Sequence, residues 1–223
     1  MSSFIEKNNE VLKNISYNFQ RGKTNLIIGE SGSGKTSLIM LIGGLEKVSS
    51  GNIFFRDSEL SKMNEDEISE IRRKNIGIVF QSFYLIPNYT ALENVSLSLE
   101  INKFDNPTVK AKEILDRFGL SNRFNNFPSQ LSGGQKQKVA IARSLLNEPE
   151  IIIADEPTGN LDPKSSIDIM DVLQEINQNG NTIVMATHDF ILLKKYKGRI
   201  LRCKDGRIDE IHPNELNIET AYQ

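Results

Sequence analysis

The sequence predicts an α/β fold organised around a parallel β-sheet. Three observations lead there. Four short apolar runs, Leu26-Ile27-Ile28, Ile76 to Phe80, Ile151 to Ala154 and Thr182 to Ala186, lack in/out alternation, as strands covered on both faces do. Between the last two, Ser165 to Asn179 spaces Ile169, Leu173 and Ile176 for one helical face and ends at Gly180, a natural stop. Strand, helix, strand in that order is a βαβ unit, and several of them define the class.

The remaining elements follow from the same patterns. Val11 to Phe19 and Gly51 to Phe55 alternate more like antiparallel strands. An apolar helix is expected over Ser37 to Leu45. From about Ser82 to Ser144 the chain reads as mostly helical: Thr108 to Phe118 puts Ala111, Ile114, Leu115 and Phe118 on one face and closes at Gly119. Ile200 to Ile208 reads as two strands joined by the turn Asp205-Gly206. Beyond His212 the residues are polar, a loose tail. No repeat or flexible linker divides the chain, so any subdivision is an insertion within one fold.

Composition narrows the function. Across 223 residues, 27 Lys plus Arg oppose 29 Asp plus Glu, a net charge of −2, which argues against a broad nucleic-acid surface. The single cysteine, Cys203, excludes an internal disulfide and suits a reducing compartment. The first twenty residues contain no apolar run long enough for a signal peptide, and nowhere do about 18 apolar residues follow one another. The expectation is a soluble, intracellular protein that does not span a membrane by itself.

Gly29-Glu30-Ser31-Gly32-Ser33-Gly34-Lys35-Thr36 fits G-x-x-x-x-G-K-S/T, and it lies between an apolar strand and an apolar helix. That context matters more than the string. Glycines let the backbone turn its N–H groups inward, and the following helix N-terminus adds a favourable dipole for phosphate. Lys35 is expected to reach the β- and γ-phosphates, and the Thr36 hydroxyl to ligate Mg2+. A second anchor is Ile151-Ile152-Ile153-Ala154-Asp155-Glu156, an apolar strand ending in two carboxylates. At the carboxyl edge of a parallel sheet, where ligands of such folds bind, Asp155 suits the metal shell and Glu156 suits polarising a water.

Leu131-Ser132-Gly133-Gly134-Gln135 opens a further helix. Ser132 as N-cap with Gln135 three residues later forms a capping box, which leaves the two glycines unexplained, since their helix propensity is poor. They make sense where something approaches the backbone closely, phosphate included.

LSGGQ, GESGSGKT, IIIADEP and MATHD together resemble the ATP-binding cassette (ABC) ATPases, in order and spacing, from about Val11 to Ile208. The resemblance implies a P-loop NTPase fold of ABC ATPase type: a RecA-like parallel-sheet core, an antiparallel β subdomain and an inserted α-helical subdomain. One domain then covers 1–223, with 1–81 and 146–212 as catalytic core, 82–145 as the helical signature part and 213–223 as tail. It implies ATP and Mg2+ as cofactors, and Gly29, Ser31, Gly32, Ser33, Gly34, Lys35, Thr36 and Ser37 around the phosphates. Gln81 matches the glutamine that meets metal and attacking water. Gly159-Asn160-Leu161-Asp162 matches the D-loop, which crosses to a second subunit, and His188 the switch histidine that contacts the γ-phosphate. Ser132, Gly133, Gly134 and Gln135 of one copy would cover ATP held by another, so the expected assembly is a head-to-tail homodimer with two ATP molecules between the copies.

Within the family, IGGLEKVSSGNIFF, RRKNIGIVFQSFYLIPNYTALENVSL and TGNLDPKSSIDIMDVL resemble the macrolide-exporter and lipoprotein-release branch. That branch implies a transmembrane permease partner of the FtsX-like type and a location on the inner face of the cell membrane through it. Phe83 to Tyr89 is open to two readings, permease contact or helical core. Phe4 is likewise open: the aromatic that stacks on adenine, or a side chain of a frayed terminus. Lys136-Gln137-Lys138 replaces the usual Gln-Gln-Arg, and Lys cannot reproduce a bidentate guanidinium contact. ABC ATPases of DNA repair or translation are the competing function. Their long coiled-coil insertion or second cassette is absent from this sequence, as is a basic stripe.

Overall fold

A computed structural model describes residues 10–101, 104–189, 193 and 195–212. Phe4 and the tail from 213 lie outside the described residues. The element order begins β1 (Thr24–Ile28), α1 (Lys35–Ile42), β2 (Phe54–Phe55), β3 (Ser58–Glu59), α2 (Glu65–Asn75) and β4 (Ile76–Phe80). It continues with α3 (Ala91–Ile101), α4 (Pro107–Arg117), α5 (Gly133–Leu145), β5 (Ile151–Asp155), α6 (Pro163–Gln178), β6 (Thr182–Ala186), β7 (Arg199–Lys204) and β8 (Arg207–Ile211).

The main sheet runs β4-β5-β6-β1-β7-β8. All its pairings are parallel except β7 with β8. The apolar runs are continuous because both faces are covered. Leu26, Ile28, Ile152, Ala154, Ile183 and Met185 face the core made with α3 to α6, whereas Ile27, Ile153, Val184 and Ala186 face α1. Period two is still present, but each phase of it meets a hydrophobic layer.

Register then sets the site. Phe80 pairs with Asp155, Asp155 with Ala186, and Ala186 with Ile27. Four strands therefore end at one level, and the loops leaving them start side by side.

One expectation meets a different outcome, and one helix is not foreseen by the apolar pattern. Val11 to Phe19 keeps its alternation, with Leu12, Ile15, Tyr17 and Phe19 half-buried against the α1-side core. Yet it forms no regular strand, and among the described residues antiparallel pairing of the early chain is confined to β2 with β3. Helix α2 is not among the elements the apolar pattern predicts, because only Ile68 of it is buried. A reciprocal Asn64–Glu67 capping box starts α2, with three acidic residues in its first turn and three basic in its last. The Asp205-Gly206 turn appears as expected, with φ of 51° and 77°, the pair of positive values a type I′ hairpin needs.

Cys203, 1% exposed on β7, donates its S–H to the Ser33 carbonyl at 3.0 Å. Burial pushes its thiol up. The folded thiol keeps its proton to higher pH than the unfolded one. Its stabilisation is therefore full below the ordinary thiol value of about 8.5 and is lost as pH rises past it. A disulfide reagent at pH 8 is expected to label the folded chain about 100-fold more slowly than the denatured chain; equal rates would place Cys203 at the surface.

Candidate active site

The phosphate loop leaves β1 and enters α1. Gly29, Gly32 and Gly34 hold φ of 153°, 81° and 105°, values closed to most side chains. A Cβ on Gly29 would collide with the Cys203 carbonyl oxygen, so the loop is seated directly on β7. Gly34 begins α1 without a side-chain cap, which leaves the first helical N–H groups available to a ligand. Lys35 is buried, at 7% exposure, and its Nζ donates to the carbonyls of Gly29 and Glu30 at 2.8 Å each. An ammonium has three donors, so one remains. Ser33 Oγ is buried with no hydrogen-bond partner. A positive, donor-rich cradle with an unsatisfied hydroxyl fits a polyphosphate. Ser31 and Gly32 lie at its exposed rim, and Ser37 is half-buried on α1.

Beside it, the Thr36 hydroxyl donates to Asp155 Oδ1 at 3.4 Å. Asp155 is pushed up first by burial and further by the Glu156 charge, against the Thr36 hydrogen bond and the Lys35 charge. A carboxylate in that environment is short of positive charge, which fits a cation. Among the described residues no cluster of three His, Cys, Asp or Glu side chains could hold a metal alone. A Mg2+ here would draw on few protein oxygens together with the nucleotide's own, as Mg2+ sites commonly do.

Glu156 follows β5 at φ 48°. A non-glycine residue in the left-handed region is strained and typical of functional positions. Its N–H donates to the Ala186 carbonyl at 2.9 Å, and Gly159 N–H returns to the Glu156 carbonyl at 3.0 Å. His188, two residues past β6, places Nδ1 2.8 Å from Glu156 Oε2 with its ring largely exposed. Gln81, one residue past β4, donates from Nε2 to Asn160 Oδ1 at 3.1 Å.

The residues of LSGGQ settle differently. Ser132 and Gln135 do form the capping box: Gln135 N–H donates to Ser132 Oγ at 3.2 Å and Ser132 N–H to Gln135 Oε1 at 3.0 Å. The glycines give room to the start of α6 and the loop before it in the same chain. A Cβ on Gly134 would lie 2.8 Å from Ser165 Oγ, and one on Gly133 3.1 Å from Leu161 Cδ2. Asp162 caps α6, accepting from Ser165 N–H at 3.0 Å and Ser165 Oγ at 2.6 Å, and those bonds hold its carboxyl below the usual range. Thus one chain brings together Lys35, Thr36, Asp155, Glu156 and His188. No hydrogen bond joins Ser132, Gln135 or Asp162 to the phosphate loop among the described residues.

Sequence reasoning misses the residues that hold 82–90. Arg143 donates to the carbonyls of Tyr84 and Phe83 at 2.6 and 3.0 Å, and Asn94 bonds the backbone of Ile86, Tyr89 and Thr90. Phe83 and Tyr84 sit at φ 60° and 46°. No local pattern announces such side chains. The segment divides the two readings: Leu85 packs on the core, whereas Tyr84 is 64% exposed, with Ile86 and Tyr89 also exposed.

A phosphate loop after one parallel strand, with paired carboxylates after its neighbour but one, defines a P-loop nucleoside triphosphatase. The family model for ABC transporters matches residues 12–159. The chain belongs to that family and is an ATP-binding cassette ATPase. The uncharacterized ABC transporter ATP-binding protein MJ1508 of Methanocaldococcus jannaschii is 44% identical over 202 residues, 90% of each chain. The macrolide export ATP-binding/permease protein MacB of Campylobacter jejuni is 44% identical over 202 residues, which are 90% of this chain and 31% of MacB. The dimeric, post-hydrolysis structure of the cassette MJ0796 bound to ADP and Pi superposes with TM-score 0.85 at 40% identity, covering 95% of this chain and 94% of that one. No helix among the described residues is long and apolar enough to cross a membrane.

Proposed function

We propose that the chain is the ATPase subunit of an ABC transporter complex serving export, extrusion or envelope mechanotransmission, in which two cassettes close head to tail on two ATP molecules and move a permease. The observation that carries this is the shared level at which β1, β4, β5 and β6 end, which sets the phosphate loop, Gln81, Asp155-Glu156 and His188 on one edge.

Lys35 holds the β- and γ-phosphates, and Glu156 accepts a proton from the attacking water. His188, held by Glu156 at 2.8 Å, meets the γ-phosphate. Thr36, Gln81 and Asp155 would hold Mg2+, which when bound offsets the charge on the phosphate oxygens. Ser132 and the Gly134 N–H of the second copy face the same γ-phosphate, so each copy holds half of each site. Asp162 keeps the crossing loop in shape through its cap on α6. Hydrolysis cuts the γ-phosphate bridge, and the like-charged products, ADP and phosphate, loosen the pair. The dimeric form of the MJ0796 cassette supports the pairing.

The permease is read as FtsX-like from the motif resemblance, and the pairing of ATP-binding and permease parts in MacB's name supports a permease partner in general. Docking falls on Tyr84, Ile86 and Tyr89, exposed apolar side chains on a loop fixed by Arg143 and Asn94. The cassette then sits on the inner face of the membrane, with 82–145 as its helical part. Tyr84→Asp and Ile86→Asp are expected to lower recovery of the permease encoded beside this chain at least about ten-fold in a pull-down, while ATP binding is kept. Full recovery by both variants would remove this docking surface.

A further inference from the structure

We infer that Asn160 is a positioning residue that fixes which end of the Gln81 amide faces the reacting centre. The inference rests on the proposed role of Gln81 at metal and water.

Two hydrogen bonds join the residues reciprocally. Gln81 Nε2 donates to Asn160 Oδ1 at 3.1 Å, and Asn160 Nδ2 donates to the Gln81 backbone carbonyl at 3.2 Å. The second bond decides the first. A backbone carbonyl only accepts, so the NH2 end of Asn160 must face it, and Oδ1 is left as the other end. Oδ1 in turn only accepts, so Gln81 must offer its NH2. The free end of the Gln81 amide is therefore Oε1, which accepts no hydrogen bond from the described residues. An oxygen is the atom a hard cation or a water proton needs.

Gly159 makes this possible sterically. A Cβ there would lie 2.7 Å from Gln81 Nε2 and 3.1 Å from its Cδ, so the Gln81 amide packs directly against a residue with no side chain. Without Asn160 the Gln81 amide could turn over and present NH2 to a cation, which it repels.

The test is a double-mutant cycle read by calorimetry, titrating Mg2+ into the ADP-saturated chain. Asn160→Ala is expected to weaken Mg2+ binding about five- to ten-fold, the worth of one oriented hydrogen bond. ADP affinity in EDTA and the melting temperature should stay at wild-type values, since Asn160 is exposed. In a Gln81→Ala background the same change should have no further effect, as expected of residues acting through one interaction. Gly159→Ala, which displaces the Gln81 amide, should match Asn160→Ala. A wild-type Mg2+ affinity in Asn160→Ala, with Gln81→Ala weakened, overturns the inference. An equal loss on the Gln81→Ala background also overturns it, because Asn160 then acts independently of Gln81. Wild-type Mg2+ affinity in Gln81→Ala itself refutes the underlying role of Gln81 and the inference with it.

Discussion

Glu156→Gln is expected to bind ATP as well as the wild type and to turn it over roughly 100- to 10,000-fold more slowly, the range a positioned general base contributes. The amide keeps the volume of the carboxylate and leaves the backbone bonds to Ala186 and Gly159 in place. What it loses is the capacity to take a proton. With hydrolysis blocked, ATP-bound copies should accumulate as a pair, visible as a shift to twice the mass on size exclusion with ATP and Mg2+ and as its absence with ADP. Near wild-type hydrolysis in this variant would remove Glu156 as the base. His188, 2.8 Å from the same carboxylate, would then be the next group to test.

Lys35→Ala acts one step earlier. The ammonium is buried, and two of its donors are committed to loop carbonyls, so truncation removes both the charge for the phosphates and a strut of the loop itself. Truncating a desolvated charge of this kind costs about 2–5 kcal/mol of binding, hence a loss of nucleotide affinity of at least about 30-fold. A fluorescent ATP analogue measures it directly. Stabilisation of the melt by ATP, which grows with the ratio of ligand to its dissociation constant, should vanish at concentrations that protect the wild type. Unchanged affinity would disqualify the loop as the phosphate site.

The parallel strands were legible because burial on both faces leaves uninterrupted apolar runs, and Ile151 to Asp155 ends within one residue of where Ile151 to Ala154 predicts. The phosphate loop was legible because its chemistry is local, glycines and a lysine within eight residues. Ser132 and Gln135 were legible as a cap for the same reason. Tertiary contacts were not. That Gly133 and Gly134 make room for Leu161 and Ser165, or that Gln81 pairs with Asn160 across 79 positions, depends on segments distant in sequence that only the tertiary fold brings together. Val11 to Phe19 shows the opposite failure, since alternation there reflects a half-buried surface with no partner strand among the described residues.

Helix α5 has a mechanical consequence. It starts at the capped Ser132, and Arg143 near its other end grips the carbonyls of Phe83 and Tyr84. At 1.5 Å per residue those ends are about 16.5 Å apart along a single stiff rod. A pivot of ten degrees at the capped end would carry the gripped loop roughly 2.9 Å, by lever arithmetic on that length. The strokes of the two ends are thus geared to one another by a covalent shaft.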